Sequence, residues 1–263
     1  NKNKILAPRL CTQRYDKNFI EIEDFGNETV FKILKKKGKN KLSYFNRIIK
    51  LLIQIQSIKH RKVKNFRNQN YIIPKYDKKI LINEANLFCD WYAKNNLSKL
   101  RKKRFCKKFK KIIKELTLKL KLKDNIFVHR DFHVSNLMSV KNQIGLIDSQ
   151  DALIGNKAYD LASLIDDVRL KTSYSFKEKI FKFYIKKQKN LDIKKFKNDF
   201  EILSVLRNLK IIGIFTRLAL RDRKKNYLRF IPYTWQLINM RIDQNRTFID
   251  LKNLLSQNFK KIK

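Results

Sequence analysis

The chain has 263 residues, 43% hydrophobic and 12% aromatic, enough apolar material to bury a sizeable core despite 33% charge. Five Gly and three Pro exclude collagen-like, linker-rich and turn-dense β architectures. The net charge of +40 raises a nucleic-acid or membrane-surface reading, but drift toward the A/T-rich codons of Lys, Asn, Ile, Phe and Tyr gives the same lysine excess with no partner implied.

In chain order, residues 4–7 and 18–23 read as short strands, the second (Phe19-Ile20-Glu21-Ile22-Glu23) alternating apolar and acidic. Asp24-Phe25-Gly26-Asn27 breaks the pattern, and a helix follows from Thr29 to Lys37. The basic run Lys35 to Lys41 reads as a solvated connection. Helical spacing of apolar residues then marks 42–57, through Phe45, Ile48, Ile49, Leu52 and Ile55, and 76–95, through Ile80, Ala85, Phe88 and Tyr92. Residues 99–123 are the most basic stretch, yet Phe105, Phe109, Ile112, Ile113, Leu116 and Leu120 recur at helical intervals inside it, so it predicts an amphipathic helix rather than a basic tail.

After Asp124 the period changes. Strands are expected at 126–128, 137–140 and 143–147, the last two joined by a Lys141-Asn142 turn. Helices are expected at 158–170, 175–188, 194–212 and 234–244. Cys11, Cys89 and Cys106 are too scattered for a disulfide framework or a zinc site, which leads to the expectation of a reducing, cytoplasmic compartment. The most apolar stretch, Ile211 to Leu220, is interrupted by Gly213, Thr216 and Arg217, so no membrane partner is expected. The only methionines are Met138 and Met240, and Asn1 is therefore expected to be internal to a longer protein.

Chemistry concentrates in Val128-His129-Arg130-Asp131-Phe132-His133-Val134-Ser135-Asn136-Leu137, between two expected strands. Asp131 and Asn136 are five residues apart, and a strand ends in Ile147-Asp148 twelve residues beyond Asn136. Phosphoryl transfer from a nucleotide needs one carboxylate to take the proton of the attacking hydroxyl, with an amide oxygen and a second carboxylate to hold Mg²⁺ against the phosphates. The pattern matches the protein-kinase catalytic loop. His129 reads as a brace packed inward rather than a base. His133 either touches substrate or phosphate or caps the loop; the two histidines four apart lack the glutamate and helix of a zinc pair. Asp151 is either a second site carboxylate or a turn residue, and Asp160 stands where a helix cap would be.

The stretch 129–136, with Ile147-Asp148-Ser149-Gln150-Asp151-Ala152, Gly155 and Tyr159-Asp160-Leu161-Ala162-Ser163-Leu164, resembles the aminoglycoside phosphotransferase/choline kinase family of small-molecule kinases. Within it, the sequence is most similar to the bacterial branch that phosphorylates N-acetylmuramate and N-acetylglucosamine at the anomeric position. Ile22-Glu23-Asp24-Phe25-Gly26 resembles that branch's hinge, and Asn86 to Tyr92 its helix before the catalytic loop. The resemblance implies an α+β, protein-kinase-like fold. Residues 1–26 would be the remnant of a nucleotide-binding lobe with its hinge; 27–263 would be a mostly helical catalytic lobe carrying a small β-hairpin.

It also implies roles: Asp131 as base, Asn136 and Asp148 as Mg²⁺ ligands, the backbone of Ile22, Glu23, Asp24 and Phe25 against the adenine of ATP, and Asp160 as support for the catalytic loop. Arg130, His133, Asp151 and Trp91 are candidate substrate contacts. Ser149 departs from the aromatic residue usual in the branch. The family's phosphate-covering loop, its lysine and the glutamate that positions it find no match; Lys2 and Lys4 are misplaced for that lysine, and a chain with a truncated small lobe is expected to be a poor catalyst. The expected function is ATP- and Mg²⁺-dependent phosphorylation of an amino sugar. Two alternatives remain: an aminoglycoside or choline-type kinase, and a non-catalytic nucleic-acid or membrane-surface binder using the basic helix 99–123.

Overall fold

The computed structural model describes residues 5–14, 19–36, 38, 40–64 and 68–259; Lys2, Lys4, Asn18, Lys37 and Lys39 lie outside them. The chain packs into two compact units, Asn1–Lys75 with Asn125–Asn190, and Tyr76–Asp124 with Leu191–Lys263.

The first unit opens with β1 (Leu10–Arg14) and β2 (Phe19–Ile22), an antiparallel pair in which Leu10 faces Ile22 and Arg14 faces Phe19. The strand expected at 4–7 is not there. Residues 5–9 form no regular element, and their apolar character has another cause: Ile5 is buried, and the Leu6 carbonyl accepts the amide of Leu146, 2.8 Å away. Strand β2 forms as expected, but its apolar residues are all exposed, so its alternation does not mark a buried face.

Helix α1 (Val30–Lys35) is capped by Thr29, whose hydroxyl accepts from the Lys32 amide, and α2 (Lys41–Gln56) by Asn40 in the same way. Two short strands follow that the sequence did not announce, β3 (Lys62–Lys64) and β4 (Asn70–Ile72), too brief and too exposed to carry a pattern.

In the second unit, the helix expected over 76–95 is interrupted. Helix α3 (Lys78–Leu87) widens into a π-helical turn over Phe88–Ala93 before α4 (Lys94–Asn96). Gly213 explains the crowding here: a methyl group at its α-carbon would stand 2.3 Å from the Leu87 carbonyl carbon, so two backbones touch. Helix α5 (Lys99–Leu118) buries Phe105, Phe109, Ile113 and Leu116 and leaves most of its cations in solvent. It stops short of 123 because the buried Asp199 carboxylate takes the amides of Lys121 and Leu122, both at 2.8 Å.

Returning to the first unit, β5 (Asp124–Val128) leads into the catalytic-loop sequence, which is followed by β6 (Leu137–Val140), β7 (Gln143–Leu146) and β8 (Leu153–Asn156). Strands β6 and β7 form the expected hairpin, with Leu137 opposite Leu146 and Val140 opposite Gln143. Lys141 and Asn142 both adopt positive φ, 43° and 61°, as a tight two-residue hairpin turn demands. Strand β8, which pairs with β5, was not expected; buried throughout, it lacks alternation.

Helix α6 (Tyr159–Ile165) is shorter than the expected 158–170. The buried ammonium of Lys177 caps it, donating to the Ile165 carbonyl at 2.6 Å and standing 3.3 Å from Asp166. Helix α7 (Tyr174–Lys186) follows, and its Tyr184 donates to Gln56 of α2 at 2.6 Å.

The second unit is completed by α8 (Ile193–Leu220), α9 (Ile231–Ile242) and α10 (Ile249–Asn258). Helix α8 runs eight residues beyond the expected end at 212. Six rings of this unit, Phe88, Tyr92, Phe105, Phe109, Trp235 and Phe259, cluster at 5.1–6.0 Å in stacked, tilted and edge-on pairs. Among the described residues no helix is long and apolar enough to cross a membrane.

Candidate active site

The residues singled out between 129 and 160 come together in the first unit. The central device is the carboxylate of Asp160 at the start of α6, 1% exposed. Its two oxygens accept the amides of His129 (2.7 Å) and Arg130 (3.0 Å). That grip holds Arg130 at φ 73°, a left-handed conformation that costs a non-glycine residue on the order of 1–3 kcal/mol and persists only where its surroundings impose it. Asp160 is thus more than the ordinary helix cap its position suggested.

The turn set by Arg130 leads into Asp131. Its carbonyl accepts the His133 amide (3.0 Å) and the Asn136 side-chain amide (3.1 Å), which closes the loop on itself. Asn136 Nδ2 also donates to Asp148 Oδ2 at 3.2 Å, so the amide and the second carboxylate stand side by side. Asp148 is itself left-handed, at φ 67°. A carboxylate and an amide oxygen held by separate strand ends form an all-oxygen donor pair; Mg²⁺ is bound in just this manner, by one or two protein ligands with phosphates and water completing an octahedron. Asn136 spends its nitrogen on Asp131 and Asp148, leaving its Oδ1 for a cation. The residues fit the ion.

His129 is fully buried, and its Nε2 lies 3.0 Å from the Ile147 carbonyl, the residue before Asp148. Burial pushes its pKa below the ordinary value, while the Ile147 carbonyl and the charges of Asp131 and Asp148 pull the other way. The imidazole is neutral and donates through Nε2. Its ring packs inward, against the backbone of the turn that carries Asp148. His133 is also buried, at 5% exposure, and its carbonyl accepts the Asn136 amide at 2.9 Å. Asp151 lies exposed on the turn after Asp148, and its carbonyl accepts from Arg130 Nη1 at 3.2 Å. Trp91 belongs to the second unit, on the π-helical turn.

The segment that resembles a hinge leaves β2. The amide of Glu23 is taken by the Arg9 carbonyl at 2.8 Å, and its carboxylate pairs with the Arg9 guanidinium at 3.2 Å. Asp24 accepts the Gly26 amide at 2.7 Å, which shapes the turn. Among the described residues no group accepts from the amides of Asp24 and Phe25, so these donors stand available.

Sequence reasoning missed Gly145. A methyl group on it would come within 2.8 Å of Phe25 Cε2, so this glycine in β7 lets the Phe25 ring lie directly on the β6–β7 hairpin. A glycine inside a strand is the one signal that could have pointed to such an approach.

Residues 34–190 match the model of the phosphotransferase enzyme family. N-acetylmuramate/N-acetylglucosamine kinase of Neisseria meningitidis serogroup B is 29% identical over 234 residues, covering 86% of this chain and 67% of the relative. Its counterpart in Pseudomonas aeruginosa is 28% identical over 256 residues, covering 95% and 72%. Among solved structures, amicoumacin kinase in complex with AMP-PNP, Ca²⁺ and amicoumacin superposes with a TM-score of 0.60 at 12% identity, covering 91% of this chain and 74% of the other. Fold and matches together define a small-molecule phosphotransferase with a protein-kinase-like, α+β architecture. The chain belongs to the phosphotransferase enzyme family.

Proposed function

We propose that this chain transfers the γ-phosphoryl group of ATP to the anomeric hydroxyl of a cell-wall amino sugar, N-acetylmuramate or N-acetylglucosamine. The observation that carries this reading is the set of four curated relatives, 24–29% identical, all named N-acetylmuramate/N-acetylglucosamine kinase. The nucleotide and divalent cation named in the amicoumacin kinase complex support the use of ATP with a metal ion.

In this reading residues 1–26 are the remnant of a nucleotide-binding lobe with its hinge, and 27–263 the catalytic lobe. The free amides of Asp24 and Phe25 face the adenine edge. Asp131 accepts the proton of the sugar hydroxyl as its oxygen bonds to the γ-phosphorus and the bond to ADP breaks. Asn136 and Asp148 hold Mg²⁺, which supplies positive charge to the phosphate oxygens. Asp160 and His129 keep the two loops in register, and a cytoplasmic location accords with the free Cys11, Cys89 and Cys106.

The test is a panel of N-acetylmuramate, N-acetylglucosamine, kanamycin and choline with ATP and Mg²⁺, read by mass spectrometry. A phosphorylated amino sugar, cleaved by mild acid as anomeric phosphates are, supports the proposal. Preferential modification of kanamycin or choline overturns it.

A further inference from the structure

Two consecutive residues of the catalytic loop reach the two ends of the turn that carries Asp148. His129 Nε2 meets the Ile147 carbonyl at 3.0 Å, on the near side of Asp148. Arg130 Nη1 meets the Asp151 carbonyl at 3.2 Å, on the far side. Between these points the turn is exposed, and its internal bonds are short-range: Gln150 Nε2 to Asp148 Oδ1 at 2.5 Å, and the Ala152 amide to the Ser149 carbonyl at 3.2 Å. Neither of these two bonds fixes the turn to the rest of the molecule; Asn136 Nδ2, donating to Asp148 Oδ2 at 3.2 Å, ties its near end, and Arg130 its far end.

We infer that Arg130 is a positioning residue, a strut that holds the Asp148–Asp151 turn against the catalytic loop and so sets where Asp148 stands relative to Asp131. The inference rests on the proposed reading of Asp131 as base and Asp148 as metal ligand. Its backbone is part of the same argument. At φ 73°, with its amide on Asp160, Arg130 occupies a conformation that glycine meets without cost. A loop needing only that bend would be served by glycine; the arginine side chain adds a planar guanidinium, rigid at its donors, that reaches a carbonyl 21 residues along the chain. One residue therefore couples three pieces: the helix start at Asp160, the base at Asp131 and the turn at Asp151. A carboxylate on a loosened turn would hold the ion less well, since outer partners of metal ligands typically carry 10–100-fold in affinity or activity.

The test compares wild type with Arg130→Gly and Arg130→Met, using the full chain. The primary readout is Mn²⁺ affinity in the presence of ADP, from the free-ion signal in electron paramagnetic resonance, with Asp148→Ala as reference. Thermal unfolding and, where a sugar substrate turns over, kcat and KM are measured alongside. Arg130→Gly is expected to unfold within about 3 °C of wild type, because relief of the left-handed backbone offsets glycine's greater freedom in the unfolded chain. Its Mn²⁺ affinity is expected to fall about tenfold or more, with kcat falling and the sugar KM unchanged. Arg130→Met is expected to lose Mn²⁺ affinity to the same degree. Wild-type Mn²⁺ affinity in both variants overturns the strut. So does a raised sugar KM with unaltered Mn²⁺ affinity, which would place the guanidinium on the substrate. If Mn²⁺ binding in wild type is indifferent to Asp148→Ala, the metal-site reading fails and the strut with it. If Mn²⁺ affinity falls in the Arg130 variants but the acceptor is another small molecule, the strut stands and only the amino-sugar reading fails.

Discussion

Asp160 and His129 are 31 residues apart in sequence, yet the carboxylate of one accepts the backbone amide of the other at 2.7 Å inside the protein. The same carboxyl group takes the next amide, so one side chain shapes the entry to the 129–136 loop. Asp160→Asn keeps the shape but replaces an acceptor oxygen with a donor nitrogen facing an amide. It is expected to cost about 1.5–3 kcal/mol in denaturant unfolding and about 10²-fold in kcat through misplacement of Asp131. Unfolding and turnover like those of wild type would refute this role.

Asp131→Asn separates chemistry from binding. The proposed proton acceptor is lost while the loop's backbone bonds, which use the Asp131 carbonyl, are kept. The expected outcome is a fall in kcat of roughly 10²–10⁴-fold with little change in KM. Near-normal turnover would show that another group takes the proton.

Asn136→Ala and Asp148→Ala remove neighbouring oxygens, and either one breaks the 3.2 Å bond that joins them. Both are expected to raise the Mg²⁺ concentration needed for half-maximal rate, the aspartate variant more because a charge is lost with the ligand. Superimposable Mg²⁺ titrations for wild type and both variants would place the ion elsewhere.

His129 predicts a pH dependence of stability. Burial holds its pKa below the ordinary 6.5 in the folded chain, so as pH falls the unfolded chain takes up the proton first. Its contribution to stability is therefore complete above about pH 6.5 and is lost as pH falls through the folded value. Melting temperatures at about pH 7.5 and 5.5 should differ more for wild type than for His129→Gln, which has no such proton to bind. Equal losses in the two proteins would contradict a buried neutral imidazole.

Gly213→Ala tests the close approach in the second unit. The added carbon would meet the Leu87 carbonyl oxygen at 2.4 Å and the Phe88 nitrogen at 2.7 Å, and backbone cannot swing aside as a side chain does. A loss at or above the upper end of the about 1–3 kcal/mol typical of overpacking is expected from chemical denaturation. A change under about 0.5 kcal/mol would show that the two helices part without strain.

The proposed chemistry was read from residue types because phosphoryl transfer admits few: a carboxylate, an amide and a second carboxylate at set distances along strand ends. The hairpin of β6 and β7 was legible because its turn needs residues that tolerate positive φ. What escaped depends on contacts between distant residues. Nothing local in Lys177 says that its ammonium will end α6, and nothing in Gly145 says that Phe25 will lie on it. The last eight residues of α8 were obscured because Gly213 and Thr216, weak helix formers, interrupt the apolar run there. The apolar residues at 5–7 imitated a strand while serving as a cover for β7.

The interleaving of the two units has a consequence for synthesis. Neither unit is a continuous stretch: Tyr76–Asp124 emerges inside the first unit and waits for Leu191–Lys263. Leu87 leaves the ribosome about 125 residues before the glycine it packs against, a delay on the order of 6–25 s at roughly 5–20 residues per second. The catalytic loop has a shorter wait, since Asp160 follows His129 by 31 positions. The nascent chain thus assembles the loops of residues 129–160 while the aromatic residues of the π-helical turn 88–93 and of α5 still await their partners. Slow translation between 124 and 191 would lengthen that exposure, and chaperone capture should concentrate on chains arrested in this interval.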